Sequence, residues 1–132
     1  MDNIMQLKDF QEALAALPDA EAKLGYLIEL GDRLPAMPAE AHTEANRIRG
    51  CASQVWIEAQ ENQGRLIFRM DSDAKIVRGL LFILQSLTNG KTREEIKAAA
   101  AAKVFADLGL SKLLSSQRQV GLQSAIDVLE GF

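Results

Sequence analysis

The sequence has one cysteine and one histidine in 132 residues, and each scarcity closes off a class of function. A lone cysteine forms no internal disulfide, and one histidine beside it cannot complete a thiolate or imidazole metal cage, so no metal is expected. An excess of one charge is also missing. The chain carries 15 basic and 18 acidic residues, a net charge of −3, without the basic block that a nucleic-acid surface requires. Long apolar runs are absent: the most apolar stretch, residues 76–87, is interrupted by Arg78 and Gln85 and is too short to cross a bilayer. The first six residues, Met1-Asp2-Asn3-Ile4-Met5-Gln6, lack the basic start and apolar run of a signal peptide. These absences imply a cytoplasmic protein with no membrane and no nucleic-acid partner, in a reducing setting where a free thiol stays usable.

What is present is ordinary globular material, 48% hydrophobic and 25% charged. That suffices for a core without staples, and with no internal repeat or boundary residues 1–132 read as one domain. Leu7, Phe10, Leu14 and Leu17 recur at helical spacing and stop at Pro18. Asp19 is placed to cap a second helix bearing Leu24, Leu27 and Ile28, which fades at Gly31 before the extended link Pro35-Ala36-Met37-Pro38. Residues 39–46, polar and alanine-rich, read as a short helix. Val55, Ile57 and Ala59 then alternate with Trp56 and Glu58, and Leu66, Phe68 and Met70 with Arg65, Ile67 and Arg69. With turn chemistry at residues 61–64, this predicts a hairpin whose loop is longer than two residues.

Asp71-Ser72-Asp73 opens the most apolar helix, in which Ile76, Val77, Leu80, Leu81, Leu84 and Leu87 form a stripe widened by Phe82 and Ile83. This should be the central helix, ended by Asn89-Gly90. Thr92 with Glu95 forms a capping box for a helix running through the alanines of residues 98–102. Ser116 with Gln119 forms a second box, ahead of a last helix over residues 120–129. The class is α+β, a small antiparallel sheet packed against several helices.

Chemistry converges on Cys51, in the connection before the first strand. Gly50 beside it permits backbone conformations closed to other residues, so the thiol can be presented on a tight loop. Nucleophilic sulfur is the thiolate, scarce at neutral pH for a thiol of pKa about 8.5, and Arg47 and Arg49 are near enough in sequence to favour it. A buried, inert core cysteine fits the same residues, and on these grounds alone both readings stand. A hydrolytic cysteine would need a histidine base, and His42 in the linking segment is the sole candidate. A cluster-binding scaffold would need more soft ligands than one cysteine and one histidine. A plain helical interaction module is the third alternative.

The run Asn46-Arg47-Ile48-Arg49-Gly50-Cys51-Ala52-Ser53-Gln54-Val55-Trp56-Ile57 resembles the signature of the SufE family: an asparagine, a glycine-cysteine pair, then a Ser-Gln-Val-Trp strand. Leu30-Gly31-Asp32-Arg33-Leu34-Pro35 resembles the family's upstream leucine-glycine and leucine-proline segment, and Asp71-Ser72-Asp73-Ala74-Lys75-Ile76-Val77-Arg78-Gly79-Leu80-Leu81 its second signature. Gly90-Lys91-Thr92 follows in place, and the segment from Leu114 to Leu122 is similar to the family's closing motif. Ala52 stands where many members carry a longer polar residue, and Gln117 where a serine often precedes the arginine.

The resemblance implies a SufE/IscU-like fold and a sulfur acceptor that is not itself an enzyme but activates one. A SufS-like cysteine desulfurase would pass persulfide sulfur to Cys51, be stimulated by its removal, and keep the pyridoxal phosphate; no cofactor is expected on this chain. The sulfur would go on to an iron–sulfur scaffold complex. Monomer and homodimer both fit. By the same resemblance Gly50, Ser53 and Arg118 support the cysteine loop, and Asp73 and Arg49 are candidates for the partner interface. The residues themselves add three expectations: Asp73 as a helix cap, Trp56 as a structural residue of the sheet, and His42 as a solvated link residue.

Overall fold

The computed structural model describes residues 5–49 and 53–132. Gly50, Cys51 and Ala52 lie outside the described residues, as do the first four. Helices α1 (Leu7–Ala15) and α2 (Ala20–Asp32) come first, then a 3₁₀ turn at Ala39–Ala41. Strands β1 (Val55–Asn62) and β2 (Arg65–Ser72) follow, then α3 (Lys75–Thr88), the two-residue β3 (Lys91–Thr92), α4 (Arg93–Ala99) and α5 (Ala101–Asp107). A 3₁₀ turn at Ser111–Leu113 leads into α6 (Ser116–Gly131). The sheet is antiparallel with order β1-β2-β3, and the architecture is the expected α+β.

Alternation decides the sheet's two faces. Val55 and Ile57 of β1 and Leu66, Phe68 and Met70 of β2 are buried against the helices, while Arg65 and Ile67 stay exposed. The hairpin turn is shorter than the sequence suggests. Glu61 and Asn62 belong to β1, leaving Gln63 and Gly64 as a two-residue turn with φ of +54° and +81°. Paired positive φ angles match the twist of the flanking strands, which outweighs the mild strain at a non-glycine Gln63.

Helix α3 is the centre of the molecule, with every residue from Gly79 to Leu84 buried. Its neighbours are α2 on one side and β2 on the other. The α2–α3 crossing depends on two glycines. A Cβ on Gly79 would lie 2.0 Å from the Leu27 carbonyl oxygen, and one on Gly31 would lie 2.8 Å from the Lys75 carbonyl oxygen. Gly31 therefore sits inside the last turn of α2 as a contact residue, rather than marking where the helix fades. The far end of α3 is tied to the sheet, because Phe68 N–H donates to Asn89 Oδ1 (2.7 Å) and its carbonyl accepts from Gln85 Nε2 (2.9 Å).

Two helix expectations are corrected. The alanine run does not continue one helix: Ala100 adopts φ +49° and separates α4 from α5. The break redirects the chain so that Ile96 and then Ala101 and Phe105 all reach the core, and that burial overrides alanine's helix propensity. The last helix is capped by Ser115, not Ser116, through Oγ accepting from Arg118 N–H at 3.3 Å. Gln119 instead donates to the carbonyls of Ser111 (2.8 Å) and Leu114 (3.0 Å), fastening the preceding turn. The Asp19 cap and the Thr92–Glu95 capping box form as the sequence indicates.

Candidate functional site

The chain on either side of Cys51 is pinned at its base. After the first 3₁₀ turn, residues 46–48 run antiparallel along the free edge of β1. Ile57 N–H donates to the Asn46 carbonyl and Ile48 N–H to the Val55 carbonyl, both at 2.8 Å, and Arg47 bridges Trp56. Asn46 Nδ2 also holds the Ala41 carbonyl at 2.8 Å, stiffening the approach. The described chain on the two sides of Cys51 is thus held by one mutually paired couple, Ile48 before it and Val55 after it.

Asp73 closes the other side of that base. Its Oδ1 accepts from Gln54 N–H at 3.0 Å, and its own N–H donates to the Gln54 carbonyl at 3.3 Å. The helix-cap expectation for Asp73 is corrected, since α3 starts after Ala74 with no side-chain cap. Strand β2 runs through Ser72, so the Asp73 carboxylate meets the Gln54 amide rather than the helix end. Arg49 is largely exposed and reaches Glu44 Oε1 at 3.3 Å, while Arg47 Nη1 meets Oε2 of the same carboxylate at 3.5 Å. Glu44 therefore offsets much of the field that the two arginines would lend to a nearby thiolate.

Ser53, two positions after Cys51, lines a cavity of ≈ 20 Å³ between β1, α3 and α6. That is room for about one water-sized group. Val55, Val77, Leu80 and Leu81 give it an apolar wall, and Gly121, Leu122 and Ala125 form the α6 side. Gln117 and Arg118, from the first turn of α6, complete the lining. Arg118 is half-buried, and its Nη1 is buried without an acceptor among the described residues. A buried cationic donor left unpaired is costly, and the positive end of a 16-residue helix lies beside it. Chemically the pocket favours a compact, polarisable anion. Among the described residues no group of three or more His, Cys, Asp or Glu side chains is placed to hold a metal ion. No helix among them is long and apolar enough to cross a membrane.

Residues 8–131 match the family model SufE, described as the Fe–S metabolism associated domain. The chain belongs to the SufE family. An uncharacterised SufE-like protein of Rhizobium meliloti (strain 1021) is 42% identical over 116 residues, spanning 85% of this chain and 83% of its own. Sulfur acceptor protein CsdE of Escherichia coli (strain K12) is 38% identical over 121 residues, 90% of this chain and 82% of its own. The solution structure of a hypothetical protein from Thermus thermophilus matches with a TM-score of 0.75 at 21% identity, covering 95% of this chain and 90% of that one. That last likeness carries the fold alone.

The segments that resemble SufE signatures meet in space. Arg78, from the second signature, donates to the carbonyls of Gly31 (3.2 Å) and Leu34 (3.3 Å) in the upstream one, and its Nη1 pairs with Asp71. Asp71 was not singled out from sequence, and neither was Arg78; both work across gaps that local patterns do not span. His42 is corrected from a solvated link residue. Its Nε2 lies 2.7 Å from Asp71 Oδ2, and its ring stands edge-on to Trp56 with centroids 4.5 Å apart. The hydrogen bond to Asp71 holds the His42 pKa above the usual histidine value, against a smaller opposing effect of burial. Trp56 is structural, as expected, half-buried beneath that ring.

Proposed function

We propose that this protein accepts sulfur from a pyridoxal-phosphate-dependent cysteine desulfurase as a persulfide on Cys51, stimulates that enzyme by unloading it, and passes the sulfur on for iron–sulfur cluster assembly. The observation that carries the reading is the pocket that Ser53, two positions after Cys51, shares with Arg118, whose buried Nη1 has no acceptor among the described residues. Membership of the SufE family and likeness to a relative named as a sulfur acceptor support it.

The transfer is a displacement at sulfur. The Cys51 thiolate attacks the outer sulfur of the desulfurase persulfide; one S–S bond forms as another breaks, and the desulfurase leaves as its thiolate. The outer sulfur keeps its proton or loses it to water, and nothing is oxidised or reduced overall. Three features of the chain serve this step. Hydrogen bonds at Ile48, Val55 and Gln54 fix the described chain on either side of Cys51. Apolar walls exclude water and solutes from a group that reductants and oxidants would otherwise consume. Arg118 supplies positive charge where a thiolate or persulfide anion would gather it.

Partner contact in this reading falls on the loop and its edges, with Arg49 and Asp73 on the rim. The pyridoxal phosphate stays with the desulfurase, and this chain acts as an accessory protein whose Cys51 persulfide is transient. The test is intact mass of the protein after incubation with a SufS-like desulfurase, pyridoxal phosphate and free cysteine. Gain of one sulfur atom, reversed by reductant and mapped to Cys51, supports the reading; no gain while the thiol still alkylates counts against it.

A further inference from the structure

His42, the only histidine, sits at the start of the strap of residues 42–48 that leads into the Cys51 loop. It crosses the face of Trp56 on β1 and ends on Asp71 of β2, so one side chain spans the free edge of the sheet. The carboxylate only accepts, so Nε2 carries the proton in this contact. His42 retains 24% of its side-chain exposure and Asp71 16%, which leaves the pair shielded without being sealed. Asp71 is held from its other oxygen by Arg78 and by Ser72 N–H at 2.8 Å, giving His42 a fixed anchor. The strap then has two bonds to β1, at Asn46–Ile57 and Ile48–Val55, before the loop begins.

The geometry points to His42 and Asp71 as a clip that positions the strap of residues 42–48, the segment that precedes Cys51 in the chain, with a grip set by the charge on His42. The clip deepens the sulfur-acceptor reading by giving the strap ahead of Cys51 a proton-dependent tether, although the contacts themselves do not depend on that reading. An imidazolium bonded to a carboxylate adds the attraction of opposite charges to the hydrogen bond, whereas the neutral imidazole left on deprotonation keeps only the N–H donated to the Asp71 carboxylate. The charged groups facing His42 are Asp71 from β2 and, beyond it, Arg78 from α3. On the strap, Glu44 is engaged by Arg47 and Arg49, and on the outer face of the sheet Arg69 is engaged by Glu58. Asp71 lies between the two cations, so its attraction for His42 outweighs repulsion from Arg78. The extra grip is therefore full below the unperturbed histidine pKa of about 6.5 and is lost as pH rises through the higher value His42 has in the fold.

The amides of Ile48 and Ile57, which donate across the strap, report the grip directly. Their hydrogen exchange, referenced to intrinsic rates and to the Leu84 amide inside α3, would be followed by NMR on the untagged protein from about pH 5.5 to about pH 8.5. The sole histidine ring would be titrated in the same samples. His42→Gln keeps an N–H donor but cannot titrate. In the wild type, protection at Ile48 and Ile57 should fall about 3- to 10-fold across the His42 titration. In His42→Gln it should stay level, near the high-pH wild-type value. Equal pH dependence in both proteins, or a His42 titration below the ordinary histidine value, overturns the clip. If His42→Gln loses the fold, seen as lost protection at Leu84, the wild-type profile alone decides: the fall at Ile48 and Ile57 must then share its midpoint with the His42 ring, and a mismatch overturns the clip. No desulfurase enters the experiment, so failure here leaves the sulfur-acceptor reading standing.

Discussion

Asp73→Ala removes one bond from the base of the Cys51 loop and leaves its neighbours in place. The lost contact is Gln54 N–H to Asp73 Oδ1 at 3.0 Å; the Asp73 N–H bond to the Gln54 carbonyl and the Ile48–Val55 bond both survive the change. A hydrogen bond to a charged acceptor contributes about 1.5–3 kcal/mol, but Asp73 is exposed and water competes for it, so the loss should be about 1 kcal/mol. That corresponds to about a 5-fold rise in local opening. The Gln54 amide should exchange about 5-fold faster, the Leu84 amide should follow only global stability, and the melting temperature should fall by about 4 °C. Asp73→Asn keeps an acceptor oxygen and should stay within about 2-fold of wild type at Gln54. Unchanged Gln54 exchange in Asp73→Ala would refute the reasoning, as would Asn and Ala variants that behave alike.

Arg118→Met keeps most of the apolar stem and deletes a buried donor that has no acceptor among the described residues. Its melting temperature should be unchanged or higher, while Cys51 persulfide formation falls about 10-fold, the effect of losing one hydrogen bond to a charged group of about 1.5 kcal/mol; persulfide formation at the wild-type rate would remove Arg118 from the mechanism. Gly79→Ala places a methyl 2.0 Å from the Leu27 carbonyl oxygen and should cost about 1–3 kcal/mol or more in a denaturant melt. Gly25→Ala, in α2 with nothing within 4 Å of the new methyl, should instead gain about 0.5–1 kcal/mol.

Many local signals in the sequence were legible, though the Ser116–Gln119 box and the Asp73 cap were not among them, and long-range ones were not legible at all. The Asp19 cap, the Thr92–Glu95 box and the alternation along β1 and β2 each depend on residues within a few positions of one another, and each appears in the fold. Gln63 and Ala100 adopt positive φ without the residue types that advertise it, so the short hairpin turn and the α4–α5 break had no local sign. Strand β3, two residues long, is defined only by its pairing with Arg65 and Leu66. At the site, the Cys51 segment stood out because glycine, cysteine and the strand that follows are contiguous. Arg118 gave a weaker sign, a cation at the start of a helix where the macrodipole does not favour one. Asp73 was visible as an acid ahead of a helix, but its partner, Gln54, lies 19 positions away. The His42–Asp71 contact spans 29 positions, and Arg78 reaches back 47 to Gly31. Such pairs exist only once α2, β2 and α3 have packed.

The most direct test of the sulfur-acceptor account is the intact mass of the protein after incubation with a cysteine desulfurase, pyridoxal phosphate and free cysteine, followed by peptide mapping. The account predicts a gain of one sulfur atom on Cys51 that reductant removes and that Cys51→Ser abolishes. A thiol that alkylates readily but gains no sulfur, or a Cys51→Ser protein that still stimulates the desulfurase fully, would contradict it.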